Sequence, residues 1–164
     1  MQKLALRLAL AIAALTLTAG TARAATATAT LDVTATVVPS CTIAATPVAF
    51  GNYDPLVTNS STALNAQGTV TVTCTTGTAY TIGLGAGNSA SGSRAMQHAS
   101  LTAELPYELY LDAARTTVWD NTVMQTGTAA GITPAPYPVY GRIPAAQNVP
   151  TGSYADAVVA TVTF

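Results

Sequence analysis

The sequence predicts an all-β protein built as a sandwich of short antiparallel strands. Apolar and polar residues alternate along most segments after residue 24, which is the period of a strand with one buried face. Turn signals containing Gly or Pro interrupt these segments at short intervals, as in β-sandwiches and barrels. Threonine, valine, alanine and tyrosine are frequent, and few stretches show the period of a helix.

The first 24 residues have the order of features of a secretory signal peptide. Lys3 and Arg7 precede an apolar stretch over residues 8–19, and residues 22–24 (Ala-Arg-Ala) form a small-residue cleavage site. A transmembrane anchor is the alternative, but the apolar run is shorter than the ~20 residues that a span needs. We therefore predict that residues 1–24 are a signal peptide and that the protein is exported.

The predicted mature chain is weakly acidic. Removal of residues 1–24 from the 164-residue chain leaves 140 residues with three arginines, no lysine and seven acidic residues, a net charge of −4. Such a chain has no basic surface that would release counterions from a nucleic acid, so nucleic acid is not expected as a partner. This length suits one domain with a sizeable core.

The two cysteines of the chain, Cys41 and Cys74, are predicted to form a disulfide. An exported protein passes through an oxidising compartment, and the cysteine count is even. Two buried free thiols are the alternative. The bond would close a loop between positions 33 apart, for which loop-closure entropy predicts a stabilisation of about 3–4 kcal/mol.

Residues 25–38 alternate with unusual regularity. Threonine or aspartate occupies the even positions up to residue 36, and the segment contains no Gly or Pro before Pro39. It therefore predicts a strand of up to ~45 Å with one apolar and one polar face. The inward face of this strand would carry Ala29, Leu31, Val33, Ala35 and Val37.

Further alternating runs follow in the predicted domain over residues 39–164. We predict strands at Cys41–Phe50 (interrupted by Pro47), Thr69–Cys74, Tyr80–Leu84, Leu105–Leu111 (with an edge or bulge at Pro106), Val139–Ile143 and Tyr154–Phe164. Between them, Gly85–Gly92 is predicted to be a flexible loop and Gly127–Pro138 a loop rich in Pro and Gly.

The last predicted strand places Val158, Ala160, Val162 and Phe164 on one apolar face, and the sequence stops within this strand. We therefore expect a sandwich that lacks one strand, with an exposed core and an unpaired sheet edge. The strand over residues 25–38 of a second molecule could fill that gap by strand addition.

Several segments together resemble the spore coat protein U family, whose members include subunits of archaic chaperone–usher pili. The resemblance covers nearly all of the mature chain and departs from the family at Asp120-Asn121 and Ala146. The segments that carry it are Cys41–Ile43, Phe50–Tyr53, Val70–Cys74, Arg94–Met96, Leu105–Trp119, Val139–Gln147 and Gly152–Phe164.

This resemblance implies an incomplete immunoglobulin-like sandwich that a donor strand completes. It also implies three kinds of partner: identical or related pilin subunits, a periplasmic chaperone and an outer-membrane usher. The expected function is that of a structural subunit of an extracellular pilus on the cell surface, supporting adhesion or biofilm formation. A non-pilus spore coat or cell-surface protein of the same fold, or a tip adhesin, is the alternative.

The sequence does not favour an enzyme. His98 is the only histidine and is interpreted as a solvated loop residue, and no nucleophile-elbow motif is present. The glycines of residues 83–87 lack the spacing of a dinucleotide-binding loop. We therefore assign no catalytic, cofactor-binding or metal-binding residue and expect no small-molecule substrate.

The aromatic residues could line a ligand-binding surface, as such residues do in carbohydrate-binding modules. We favour the interpretation that they pack in the core and at its rim. The residues concerned are Tyr53, Tyr107, Tyr110, Trp119, Tyr137, Tyr140 and Tyr154.

Overall fold

Ten strands make up the fold in the computed structural model, which describes residues 23–89 and 92–164. Contacts divide the chain into two units, Met1–Ala35 and Thr36–Phe164. In the described residues no helix is long and apolar enough to cross a membrane. The strands are β1 (Cys41–Thr46), β2 (Leu64–Cys74), β3 (Ala79–Leu84), β4 (Ala95–His98), β5 (Glu104–Pro106), β6 (Glu108–Tyr110), β7 (Gln125–Thr128), β8 (Ala135–Ile143), β9 (Tyr154–Ala155) and β10 (Ala160–Thr163).

The strands of the second unit pair antiparallel in three sheets. Their orders are β1-β2-β8-β6, β10-β3-β7 and β5-β4-β9. The core packs the inward faces of these sheets against one another, around a fully buried Trp119 whose indole N–H donates to the carbonyl oxygen of Ile82 at 2.9 Å. Alternate side chains of the predicted strands are buried, and Leu111, at the end of one of these strands, is half-buried. The buried residues are Val70, Val72, Cys74, Tyr80, Ile82, Leu84, Leu105, Tyr107, Leu109, Val139 and Ile143.

Cys41 and Cys74 form a disulfide, as the sequence predicts. The two residues lie directly opposite each other, at the start of β1 and the end of β2. Among the described strands β1 pairs only with β2, so the bond holds the first strand of the sandwich at the point where the N-terminal segment joins it.

The described part of the first unit, residues 23–35, is exposed throughout and forms no strand. Leu31 and Val33 are 85% and 87% exposed. Residues 36–40, at the start of the second unit, are also exposed and form no strand. The predicted strand over residues 25–38 therefore has no partner strand among the described residues. Most of the predicted signal peptide, residues 1–22, lies outside the described residues.

Two predicted strands are each divided between sheets. The run Leu105–Leu111 becomes β5, which pairs with β4, and β6, which pairs with β8. The division falls beside Pro106, which has no N–H, and at Tyr107, whose N–H donates to the carbonyl oxygen of Arg94. The run Tyr154–Phe164 becomes β9, which pairs with β4, and β10, which pairs with β3.

The prediction of a loop over Gly127–Pro138 is wrong, because β7 ends at Thr128 and β8 begins at Ala135. Pro136 and Pro138 lie within β8, opposite β2. Backbone hydrogen bonds alternate sides along a strand, so prolines two residues apart can both face away from β2. On that other side β6 pairs only with Tyr140–Arg142, and the missing N–H groups break no ladder.

Arg94 is a buried cation that the sequence analysis did not identify. Its side chain is 4% exposed and lies 2.5 Å from the carboxylate of Glu108, which is one third exposed. The guanidinium also donates to the carbonyl oxygens of Leu84, Gly85 and Trp119 at 2.7–3.0 Å. Because burying a charge is costly unless it is paired and hydrogen-bonded, these contacts make the site tolerable and join β3, β6 and the Trp119 segment.

Candidate strand-acceptor groove

A groove of about 1010 Å³ opens along one side of the sandwich. Two stretches of chain form its walls, residues 45–53 from the end of β1 onward, and residues 149–158 with Ala160, which run through β9 to the start of β10. Its floor consists of core side chains from several strands, namely Val70, Leu84, Met96, Leu105, Tyr107, Leu109, Val139 and Ile143. We call this feature the acceptor groove.

Parts of both walls have unpaired backbone. Residues 47–53 and 156–159 belong to no strand. Within the described chain, the backbone of residues 48–52 makes no hydrogen bond, whereas Val159 in the other wall accepts one from Gly85. The edge strands β1 and β10 contact each other, but no ladder of hydrogen bonds joins them. An unpaired backbone beside an apolar floor is what an added strand requires.

The first wall turns inward over two glycines. A Cβ atom at Gly68 would lie 2.8 Å from a methyl group of Val48, and one at Gly141 would lie 2.6–2.7 Å from Val48 and Phe50. These glycines, on the inward faces of β2 and β8, therefore let the wall approach the sheet. Phe50 then meets the ring of Tyr107 edge to face, with ring centroids 6.1 Å apart.

The second wall is held by the side chain of Asp156. Its carboxylate accepts a 2.6 Å hydrogen bond from the hydroxyl of Tyr107 and a 2.8 Å bond from the backbone N–H of Asn88. Burial, and then the bond to Asp156, raises the pKa of the Tyr107 phenol well above its ordinary value. The carboxylate also accepts from the N–H of Ala157, and this local bond competes with a strand ladder. Residues 156–159 therefore form no strand where the chain passes from β9 in one sheet to β10 in another.

The predicted C-terminal face lies partly in this groove. Val158, Ala160 and Val162 are half-buried against the core. Val158 and Ala160 also line the groove, beside Leu84 of its floor. Phe164 differs from them, because it is 55% exposed and lines a separate shallow pocket together with Tyr80 and Gly127. The predicted donor residues Ala29, Leu31, Val33, Ala35 and Val37 are all exposed.

His98 is not a solvated loop residue. It ends β4, is half-buried and packs edge to face on the ring of Tyr154. Its Nδ1 accepts hydrogen bonds from the backbone N–H groups of Ser100 and Leu101 at 3.0 Å. Across residues 23–89 and 92–164, no group of three or more His, Cys, Asp or Glu side chains is placed to hold a metal ion.

Residues 27–161 match the sequence model of the Spore Coat Protein U domain. The chain belongs to this family. Protein U of Myxococcus xanthus is 41% identical over 151 residues, a match that covers 82% of this chain and 83% of that protein. The sequence resemblance to the Spore Coat Protein U family is thereby confirmed.

A solved structure shares the fold of this Spore Coat Protein U domain. It is the CsuC–CsuE chaperone–tip adhesion subunit pre-assembly complex from archaic chaperone–usher Csu pili of Acinetobacter baumannii. The match has a TM-score of 0.60 and 24% identity, and it covers 79% of this chain and 41% of that chain. The chain thus spans about two fifths of the matched chain. The prediction of an all-β, immunoglobulin-like fold is confirmed.

Proposed function

We propose that this protein is a structural subunit of an extracellular pilus, in which residues 25–38 of one subunit fill the acceptor groove of the next. The observation that carries this proposal is the groove itself, which combines an apolar floor with walls whose backbone is partly unpaired. An open edge of this kind is an aggregation hazard that proteins normally cover. The exposed, alternating N-terminal segment has the pattern of a strand that would cover it.

Burial of apolar surface would drive the assembly. Leu31, Val33 and Val37 are each at least 80% exposed in the free segment. Full burial of a Val or Leu side chain contributes about 1.5–3 kcal/mol. Hydrogen bonds between the inserted strand and the walls would add to this, as in other strand-addition complexes.

The same open groove accounts for the other proposed partners. A subunit whose core lacks a strand would need a periplasmic chaperone to cover the groove before assembly, and an outer-membrane usher would then exchange the chaperone for a second subunit. The likeness to a chain of a chaperone–subunit complex supports this route. Export of the subunit to the cell surface, with a role in adhesion or biofilm formation, follows from it.

A self-complemented chain tests the proposal. A second copy of residues 25–38, joined to Phe164 by a flexible linker, should fill the groove at high effective concentration and give a soluble monomer. The mature chain made alone should self-associate or unfold. In a matched control fusion, Leu31 and Val33 of the added copy are exchanged for threonine, and this fusion should behave like the chain made alone. A mature chain that stays monomeric and melts as cooperatively as the fusion would overturn the proposal.

A further inference from the structure

The hydroxyl groups of five of the seven tyrosines make hydrogen bonds to other residues of the chain. Tyr110 and Tyr140 differ, since neither hydroxyl makes a hydrogen bond to another described residue. The two residues are direct partners in the β6–β8 ladder and are both half-buried on the outward face of that sheet. The internal bonds join Tyr53 to Pro144 and Gln147, Tyr80 to Tyr137, Tyr107 to Asp156, and Tyr154 to Pro150.

The accessible positive charge of the predicted mature chain lies at the same place. Arg94 is buried, so Arg115 and Arg142 supply this charge. The Arg142 guanidinium lies over the ring of Tyr110, 5.7 Å from its centroid, and that of Arg115 lies over the ring of Tyr140 at 5.6 Å. These four side chains form a continuous surface on β6, β8 and the adjoining turn, which we call the outer platform.

The two arginines have different hydrogen-bonding roles. Arg115 donates to the backbone carbonyl oxygens of Gly141, Ala113 and Ala66, and so it fastens the turn to the sheet. Arg142 donates only from Nε, to the side-chain oxygen of Asn65 at 3.3 Å. Its two terminal nitrogens have no partner in the described chain.

The acidic residue directly opposite Arg142 in the ladder does not neutralise its guanidinium. Glu108 is the cross-strand partner of Arg142, but its carboxylate pairs with the buried Arg94. Of the described residues, these two form the one ion pair. The two terminal nitrogens of the Arg142 guanidinium are therefore available to a carboxylate, because guanidinium groups bind carboxylates with two parallel hydrogen bonds.

We propose that the outer platform binds an acidic polysaccharide, with Arg142 receiving the carboxylate of a uronic acid. The hydroxyls of Tyr110 and Tyr140 and the exposed side-chain amide of Asn65 then meet the sugar hydroxyl groups. One guanidinium surrounded by several neutral hydrogen-bond donors and acceptors matches a ligand that has one carboxylate and several hydroxyl groups in each sugar unit. A polyphosphate ligand is not expected, because the chain is acidic and the platform offers one unpaired guanidinium.

The binding site does not depend on polymerisation. A single contact of this size is expected to be weak, with a dissociation constant on the order of 1 mM. If subunits form a fibre as proposed above, repeated copies of the platform would raise the avidity by roughly 100-fold or more without any new contact. Failure of fibre assembly would remove the avidity and leave the single-site affinity unchanged.

Calorimetry tests this inference with the fusion that carries the added copy of residues 25–38, or with the mature chain itself if that chain is found to be monomeric. The ligand is a short homogeneous oligogalacturonate, and its methyl ester is the neutral control that keeps every hydroxyl. Arg142→Gln should weaken oligogalacturonate binding by roughly 10-fold or more, because it removes a charge-assisted contact. Tyr110→Phe combined with Tyr140→Phe should cause a smaller loss. Thr76→Asp, in an exposed turn, lowers the net charge by the same amount as Arg142→Gln and should not affect binding.

Near-ultraviolet circular dichroism should show that all variants keep the fold. Saturable binding that prefers the acid over the ester, and that Arg142→Gln but not Thr76→Asp weakens, supports the inference. Four results overturn it: no saturable binding up to about 10 mM ligand, equal binding of acid and ester, an Arg142→Gln affinity equal to that of the unmodified chain, or tighter binding of single-stranded DNA of equal length.

Discussion

Exchange of Val33 for aspartate is expected to abolish polymerisation while leaving the subunit's own fold intact. In the described structure Val33 is 87% exposed and takes no part in the core cluster, so a charge there costs the free subunit little. In the proposed fibre the same side chain points into the apolar groove of the neighbouring subunit. An aspartate at that place would be buried without a partner.

The size of the effect follows from the cost of an unpaired buried charge. This cost is about 3–5 kcal/mol, or roughly two to four powers of ten in the subunit–subunit equilibrium. The contribution of the lost valine adds about 1.5–3 kcal/mol. A contact weakened by this amount should not survive at the concentrations of an exported subunit.

Thr34→Asp is the matched control. It places the same charge one residue away, on the polar face of the segment, and the side-chain period of two residues makes neighbouring positions behave oppositely. Electron microscopy of cell-surface fibres is the assay, together with recovery of each variant subunit bound to its chaperone. Equal behaviour of the two variants refutes an inserted strand in this register. Loss of chaperone capture by Val33→Asp shows instead that the segment belongs to the subunit's own core.

Two further predictions concern the fusion that carries the added copy of residues 25–38. Arg94→Met should lower its free energy of unfolding in urea by about 1–3 kcal/mol, because the buried carbonyl oxygens of Leu84 and Trp119 lose their charged donor and the one-third exposed Glu108 loses its partner. Adding Glu108→Gln should recover part of that loss. Tyr107→Phe should lower stability at neutral pH by about 1 kcal/mol. Since the folded pKa of Tyr107 is raised, its contribution is fully present below pH ~10 and is lost as the pH rises, when the unfolded chain releases the proton first. The stability curves of the two proteins should therefore converge above pH ~10, and parallel curves would contradict this role of Tyr107.

Asp156, Tyr107, Glu108 and Arg94 form a chain of contacts that leads from the groove into the buried core. Asp156 holds one wall through Tyr107, and the buried Arg94 lies one contact further from the groove through Glu108, the neighbour of Tyr107 in the chain. In the sequence, Asp156 and Arg94 stand out only as parts of segments that carry the family resemblance. No local pattern separates such an acid or arginine from a solvated one, because its partners are distant in sequence.

The sequence alone determined the strand character of this protein and the inward faces of its main strands. Val70, Val72 and Cys74 alternate in β2, as do Tyr80, Ile82 and Leu84 in β3, and all six are buried. The signal for these faces is local, because successive side chains of a strand point to opposite sides. The disulfide could be predicted for a similar reason, since an exported chain with two cysteines has few other choices.

Only the tertiary structure decided which strands pair and where they end. Leu105–Leu111 and Tyr154–Phe164 each alternate without interruption, yet each is divided between two sheets. Pro136 lies inside a strand because no neighbour needs its N–H at that level. A period of two residues reports that one side of a strand is buried, but the pairing of its backbone depends on segments far away in the chain. The groove walls and the outer platform arise from these distant pairings, and for that reason they became visible only in the fold.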